Sequence, residues 1–464
     1  MSDVPAMPDP QQLRVARDVL HALTRAPGAW PSNDPILAEL VRLAARVVQR
    51  DRKHQRTTER HRDADLRDQA EIRTGEPPAS LPGLSRGVTC YVCKHQFEQL
   101  HHFYDSLCPV CAELNFAKRN QTADLRGRTA LVTGGRIKAG YHTVLKLLRA
   151  GADVVATTRF PKDAARRFAT EPDAEEWAGR LRFVGLDLRA LAVVERFAAS
   201  LARQVGRLDI FVANAAQTVR RPPAYYHTLV ASEREPPASL PALAREMLAP
   251  EASSGTLVPA LSATPSRANW HAELALLPLV AGDDVTEAFP PGQLAPDGEP
   301  LDLRGENSWG LAHEDVSTVE LVEVHAVNCL APFLLLRALC PLFRAGPPRD
   351  RFAVMVSAVE GQFASEKNGR HPHTNMAKAG LNMMVRTSAP EFAADRVFLT
   401  AVDPGWFSVQ SAAPAAERFA ATGGRVPLDA TDAAARILDP VFTGIESGQP
   451  ASGVLFKDYR LVPW

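Results

Sequence analysis

The run Thr129 to Thr143, TALVTGGRIKAGYHT, fixes how the larger part of this chain is to be read. A short apolar strand, TALVT, passes into a glycine-containing turn, and the turn opens a helix with apolar periodicity. That order is the setting of a phosphate-binding loop. Glycines let the backbone approach a pyrophosphate, and the free N–H groups and dipole of the helix N-terminus favour the anion. Two cations, Arg136 and Lys138, lie in the same turn, where either can meet a phosphate.

Working outward, short apolar strands alternate with amphipathic helices: ADVVATT, RLRFVGLDL, LDIFVAN, RFAVMVS, VFLTAVD and GVLFKD follow TALVT in turn. Such alternation predicts an α/β fold with a doubly wound parallel sheet of Rossmann-like type over residues 125–464, with ligand beyond the carboxyl ends of the strands. Residues from about 217 to 306 break the rhythm. They are rich in Pro, Ala, Ser and Gly and hold only short helical pieces, so they are expected as an insertion acting as lid, binding arm or disordered segment.

Before the sheet lies a helical region, about residues 1–80. Ile36, Leu37, Leu40, Val41, Leu43, Ala44, Val47 and Val48 recur at helix spacing, with Asp34 as N-cap and Pro35 in the first turn. The following RDRKHQRTTERHRDADLRDQAEIR mixes both charges with almost no apolar stripe, which reads as a solvated helix or arm rather than a nucleic-acid grip. Residues 86–120 then carry Cys90 and Cys93, fourteen residues before Cys108 and Cys111. Two CxxC pairs at that gap present four thiolates to one tetrahedral ion, and the second pair opens an expected helix over 112–119, the arrangement of a treble-clef-like module. Four cysteines leave no open position for water, so one structural zinc is expected; His95, His101 and His102 are alternative ligands or ordinary packing groups.

With 464 residues and 45% apolar content the chain has ample material for burial, and two or three domains are expected. Basic and acidic residues number 53 each, which argues against nucleic acid or a membrane surface as partner. The start, MSDVPAMPDP, lacks the regions of a signal peptide, and the apolar run CLAPFLLL stops at Arg337, so a cytoplasmic protein with no membrane span is expected. Cys329 and Cys340 stand in an apolar helical pattern and read as reduced core residues.

Over residues 125–458 the ordered pieces resemble the short-chain dehydrogenase/reductase family. On that resemblance Gly134 and Gly140 correspond to the first and third glycines of the cofactor loop, with Lys138 at the middle one. Asp187 in GLDL resembles the acid near adenine, and ANAA with Asn214 resembles the family's NNAG turn. Asn328 in HAVNCLAPF resembles the structural and proton-relay asparagine, Lys378 the lysine on the nicotinamide ribose, and Pro404–Gly405 in DPGW the turn beside the nicotinamide. The resemblance implies an NAD(P)-dependent oxidoreductase acting on a small carbonyl or alcohol, often a homo-oligomer. Arg159, in TTRFPK after the second strand, suits a 2′-phosphate and points to NADP over NAD, with a surface arginine at a strand end as the plainer alternative.

The catalytic positions depart from the family. HTNMAK puts Thr374 where the family has its tyrosine, one helical turn before Lys378 and on the same face. An aliphatic hydroxyl is a far weaker acid than a phenol. In VMVSAVEG, aligning Gly361 with the family's glycine leaves Ser357 at the first serine and Ala358 at the usual catalytic one. His373 and His371 are the nearest replacements for the missing acid, and Tyr141, Tyr225 or Tyr226 are further ones. Two functions therefore stand: an NADP-dependent reductase or dehydrogenase with a changed acid, or a non-catalytic nucleotide-responsive protein that engages a macromolecular partner, a protein through the zinc module among the possibilities, by way of the zinc module, the N-terminal helices and the insertion.

Overall fold

The structure, a computed structural model, describes residues 8–25, 34–248, 269–295 and 297–464. The chain resolves into two compact units, Met1–Leu66 and Arg67–Trp464. The first unit is helical, built from Pro10–Arg25 and most of the long helix Pro35–Asp68. Asp34 caps the second of these as expected: its Oδ1 accepts from the amides of Ile36 and Leu37 at 2.8 and 3.1 Å. The mixed-charge run continues the same helix, and Ile36, Leu40, Val41, Leu43, Val47 and Val48 are exposed.

The second unit is organised by an eight-stranded sheet. Its strands are β3 (Thr129–Thr133), β4 (Asp153–Thr158), β5 (Leu181–Gly185), β6 (Ile210–Ala213), β7 (Arg351–Val356), β8 (Val397–Asp403), β9 (Val454–Lys457) and β10 (Arg460–Val462). The order β10-β9-β8-β7-β6-β3-β4-β5 is parallel throughout except for the antiparallel edge pair β9–β10. Strands buried on both faces need near-continuous apolar sequence, which β3, β6 and β7 have. One face is covered by helices that include Lys138–Arg149 and Ala430–Ser447, the other by Leu191–Gln204, Ala331–Arg344 and Pro372–Ala394. Strand order reverses between β3 and β6, the switch point where such sheets open a cleft.

β10 was not anticipated. It returns through a two-residue turn at Asp458 and Tyr459, both at positive φ (50° and 62°), without the Gly or Asn that usually signals such a turn. The run CLAPFLLL sits in a continuous helix, Thr318–Arg344, long and apolar enough by length and composition to cross a membrane; 56% of its most apolar window is buried inside the protein.

The cysteine region belongs to the larger unit. A hairpin of β1 (Val88–Thr89) and β2 (Gln96–Phe97) carries the first CxxC pair at its turn, and the helix Pro109–Asn120 carries the second. That helix begins three residues before the expected Ala112, with Pro109 in its first turn and Cys108 as N-cap residue. It packs on Ala430–Ser447, held by Tyr104 Oη donating to Asp432 (2.6 Å) and Arg119 bridging Asp429 and Asp432 (2.7 and 3.0 Å). Within the insertion, the described part packs Tyr225, Tyr226, Leu229, Val230, Ala272, Ala275 and Phe289 around Phe160. Residues 249–268 and 296 of the expected insertion lie outside the described residues.

Candidate cofactor and active site

The glycine turn meets the packing that its sequence requires. Gly134 has φ +72°, and a Cβ at Gly140 would stand 1.9 Å from the Gly134 carbonyl oxygen, so only glycine fits there. Asn214 holds the turn from β6: its Nδ2 donates to the carbonyls of Thr133 and Gly134 at 3.2 and 3.0 Å. Lys138 adopts the left-handed conformation (φ 53°) that a glycine would take at the middle position. The turn and the start of Lys138–Arg149 line a cleft that continues along Thr158, Arg159, Leu186 to Arg189 and Asn214 to Thr218. Its outer wall comes from the insertion, through Arg221, Tyr225, Tyr226 and Glu299, and its far side from Phe407 and Gln410.

The cations in this cleft are not equivalent. Arg136 was expected to face a phosphate, but it is buried between Asp163 (2.8 Å) and Glu299 (2.5 Å) and ties the turn to the insertion. Lys138 pairs with Asp297 at 3.1 Å, Arg221 with Asp302, and Arg189 with Asp187 and Glu323. Asp187 lines the cleft, yet both its oxygens accept from Arg189; burial would raise its pKa, and the Arg189 charge outweighs this and holds it below the ordinary carboxylate range. Arg159 alone among these cleft cations has no carboxylate partner among the described residues. Its guanidinium donates to Tyr226 Oη at 3.2 Å and lies 4.7 Å from the centre of that ring.

The positions expected to do chemistry are near one another but turned to structural work. Asn328, in a π-helical turn at Ala326–Leu330, clips Gln217 in both directions, accepting from its amide at 2.7 Å and donating to its carbonyl at 3.0 Å. Ser357 donates to Asn382 Oδ1 at 2.6 Å, and Asn382 in turn donates to Gly361. Lys378 donates to the Val356 carbonyl at 2.6 Å, and complete burial pushes its pKa down to about 8. Thr374 is buried, and its hydroxyl has no hydrogen-bond partner among the described residues. None of these four lines the cleft described above.

The alternative acids are also placed. His371, at φ 38°, stacks on Trp309 with centroids 4.0 Å apart and makes a hydrogen bond to the Trp309 carbonyl through Nδ1. His373 is buried, 3.5 Å from the Glu320 carboxylate on the neighbouring helix Thr318–His325. Tyr225 and Tyr226 come to the cleft at its Arg159 side, and Tyr141 faces Glu171. The partners Glu299, Glu320 and Trp309 were not foreseen; each lies many residues away in the insertion or just after it, with no local spacing to announce it.

The turn after β8 completes the far wall. Gly405 has φ +80° and donates to Asp403 Oδ1 at 2.9 Å; Pro404 O accepts from Arg436 at 3.2 Å, and the Trp406 amide donates to Tyr91 Oη at 2.8 Å. Behind it, Cys90, Cys93, Cys108 and Cys111 bring their sulfurs within 4.8 Å of one another. Ideal tetrahedral zinc–thiolate geometry places sulfurs about 3.8 Å apart. The Cys108 amide already donates to Cys90 Sγ at 3.3 Å, the kind of hydrogen bond that supports a thiolate ligand. The donor set therefore fits one closed tetrahedral ion. His101 and His102 pack with Phe116 and stay outside the cluster, and His95 gives its carbonyl to the Cys90 amide.

A parallel sheet in this strand order, with a glycine turn and helix N-terminus at its switch point, defines a Rossmann-type domain. Residues 128–230 match the short chain dehydrogenase family model and residues 307–433 the enoyl-(acyl carrier protein) reductase model. The chain belongs to the short-chain dehydrogenase/reductase family of oxidoreductases. The unmatched residues between the two family models, 231–306, fall within the insertion. An uncharacterized protein of Acanthamoeba polyphaga mimivirus, R665, is 31% identical over 368 residues, covering 76% of this chain and 71% of that protein. Human dehydrogenase/reductase SDR family member 13 is 39% identical over 87 residues, 19% of this chain and 23% of that one. Among solved structures, an NADPH-bound carbonyl reductase from chicken fatty liver aligns over 75% of this chain and 98% of its own, at 17% identity and a TM-score of 0.46.

Proposed function

We propose that this protein is an NADP(H)-dependent oxidoreductase acting on a small carbonyl or alcohol, with an altered proton donor. The observation that carries the cofactor reading is Arg159: a guanidinium at the end of β4, in no ion pair with a carboxylate among the described residues, beside a glycine turn and helix N-terminus. A 2′-phosphate supplies the doubly charged acceptor that such an arginine lacks. The glycine turn, Lys138 and Asn214 would hold the rest of the dinucleotide, which supplies hydride chemistry when bound. Four cysteines would hold one structural zinc in a treble-clef-like module.

Thr374 is not the acid in this reading. Lys378, one helical turn after the family's tyrosine position and with its pKa brought to about 8 by burial, can exchange a proton near neutrality. Turnover of NADPH against a panel of small aldehydes and ketones tests the proposal: oxidation in the wild type, lost in Lys378→Ala, supports it, and unimpaired oxidation in that variant rejects the lysine as donor.

One observation favours a second reading, a nucleotide-binding protein without turnover. Ser357, Lys378 and Asn328 each direct their polar groups at the protein itself, to Asn382, Val356 and Gln217. Tight NADPH binding with no oxidation of any panel member would select it, and the search would then turn to protein partners.

A further inference from the structure

We propose that the four-cysteine module is a metal-dependent buttress for the cofactor cleft, with Tyr91 and Asn115 as positioning residues that transmit metal occupancy to the turn Asp403–Trp406. This rests on the nicotinamide-cofactor reading given above.

The turn exposes three backbone polar groups that need partners, and only one is satisfied locally, Gly405 N on Asp403 Oδ1. One of the other two is met by the module directly, and the second by Arg436 of the helix Ala430–Ser447, which the module's Asn115 and also Asp458 (2.9 Å) hold. Trp406 N donates to Tyr91 Oη, and Tyr91 stands between the ligand pair Cys90 and Cys93. Pro404 O accepts from Arg436 Nη1, while Arg436 Nη2 donates to Asn115 Oδ1 at 2.8 Å. Asn115 follows Cys111 by one helical turn and donates to its carbonyl at 2.7 Å. Arg436 and Asn115 are both buried, so water does not substitute within that strut, whereas the Tyr91–Trp406 link is exposed. The struts touch the turn closely: a Cβ added at Gly405 would lie 2.4 Å from Arg436 Nη1 and 3.2 Å from Tyr91 Oη.

The ion is what makes the two struts one support. Tyr91 belongs to a hairpin of two-residue strands, too short to hold its own shape, whereas Asn115 belongs to the helix Pro109–Asn120. A metal shared by Cys90, Cys93, Cys108 and Cys111 fixes hairpin to helix, and with them the spacing of Tyr91 Oη from the Arg436–Asn115 pair. Phe407 and Gln410, next along the chain, line the cleft, so the position of the turn sets that wall. Coupling of this kind is reciprocal: if zinc tightens NADPH, then NADPH tightens zinc by the same factor.

The test uses the full chain, zinc-loaded, with NADPH titrated by reduced-nicotinamide fluorescence. Tyr91→Phe keeps all four ligands and removes only the acceptor for the Trp406 amide. It is expected to retain one zinc per chain, to bind NADPH about fivefold more weakly, and to speed amide exchange in residues 403–407. NADPH is expected to slow zinc release to a chelator from the wild type and to do so less in Tyr91→Phe. Wild-type affinity and wild-type exchange in zinc-loaded Tyr91→Phe would overturn the inference while leaving the cofactor reading intact. A zinc-loaded wild type that binds no NADPH would remove the cofactor reading, and the inference with it.

Discussion

Lys378 aims its ammonium at the carbonyl oxygen of Val356, 2.6 Å away, from within the sheet–helix interface and with no carboxylate in an ion pair with it among the described residues. A cation so placed costs stability, because burial disfavours its charged form and lowers its pKa from 10.5 to about 8.

Lys378→Met is therefore expected to be more stable than the wild type at neutral pH, by about 1–3 kcal/mol after the lost hydrogen bond is counted. The sign follows from linkage. Between about pH 8 and 10.5 the unfolded chain holds a proton on this lysine that the folded chain has released, so the wild type gains stability as pH rises through that window. Thermal unfolding at pH 7 and pH 10 should show the advantage of the variant shrinking at the higher pH; an equal difference at both would contradict the assignment.

Thr374→Val replaces a buried hydroxyl that has no partner among the described residues with a methyl of the same shape. Stability should rise by roughly 0.5–1 kcal/mol, and NADPH oxidation should be unchanged. Loss of turnover in a folded Thr374→Val protein would show that the threonine acts in the chemistry.

Gly140→Ala places a methyl where the Gly134 carbonyl stands. Relieving that overlap must open the glycine turn, with an expected loss of about 1–3 kcal/mol in stability and of NADPH binding at any attainable concentration. A variant that binds like the wild type would mean the nucleotide sits elsewhere.

Much of this was readable in the chain itself, and the limits have physical causes. The seven parallel strands announced themselves because each is a short apolar run, and the cysteine pairs because ligand spacing is local. Spacing also put Thr374 and Lys378 on one helix face, but it carries no information on where that face looks, and it looks at Val356. Arg136 read as a phosphate ligand because its partner Glu299 lies 163 residues away in the insertion. Arg159 kept its expected role open for the opposite reason: among the described residues no acid forms an ion pair with it. The link from Tyr91 to Trp406 spans 315 residues and has no signal in sequence.

The central claim is that Arg159 selects a phosphorylated dinucleotide, and a paired titration of the zinc-loaded protein and its Arg159→Ala variant with NADPH and NADH tests it most directly. A charge-assisted contact to phosphate contributes about 1.5–3 kcal/mol, so the wild type should prefer NADPH by tenfold or more, roughly speaking, and the variant should lose that preference while keeping its NADH affinity. Equal affinity for both nucleotides in the wild type, or a preference that survives in Arg159→Ala, would contradict the account.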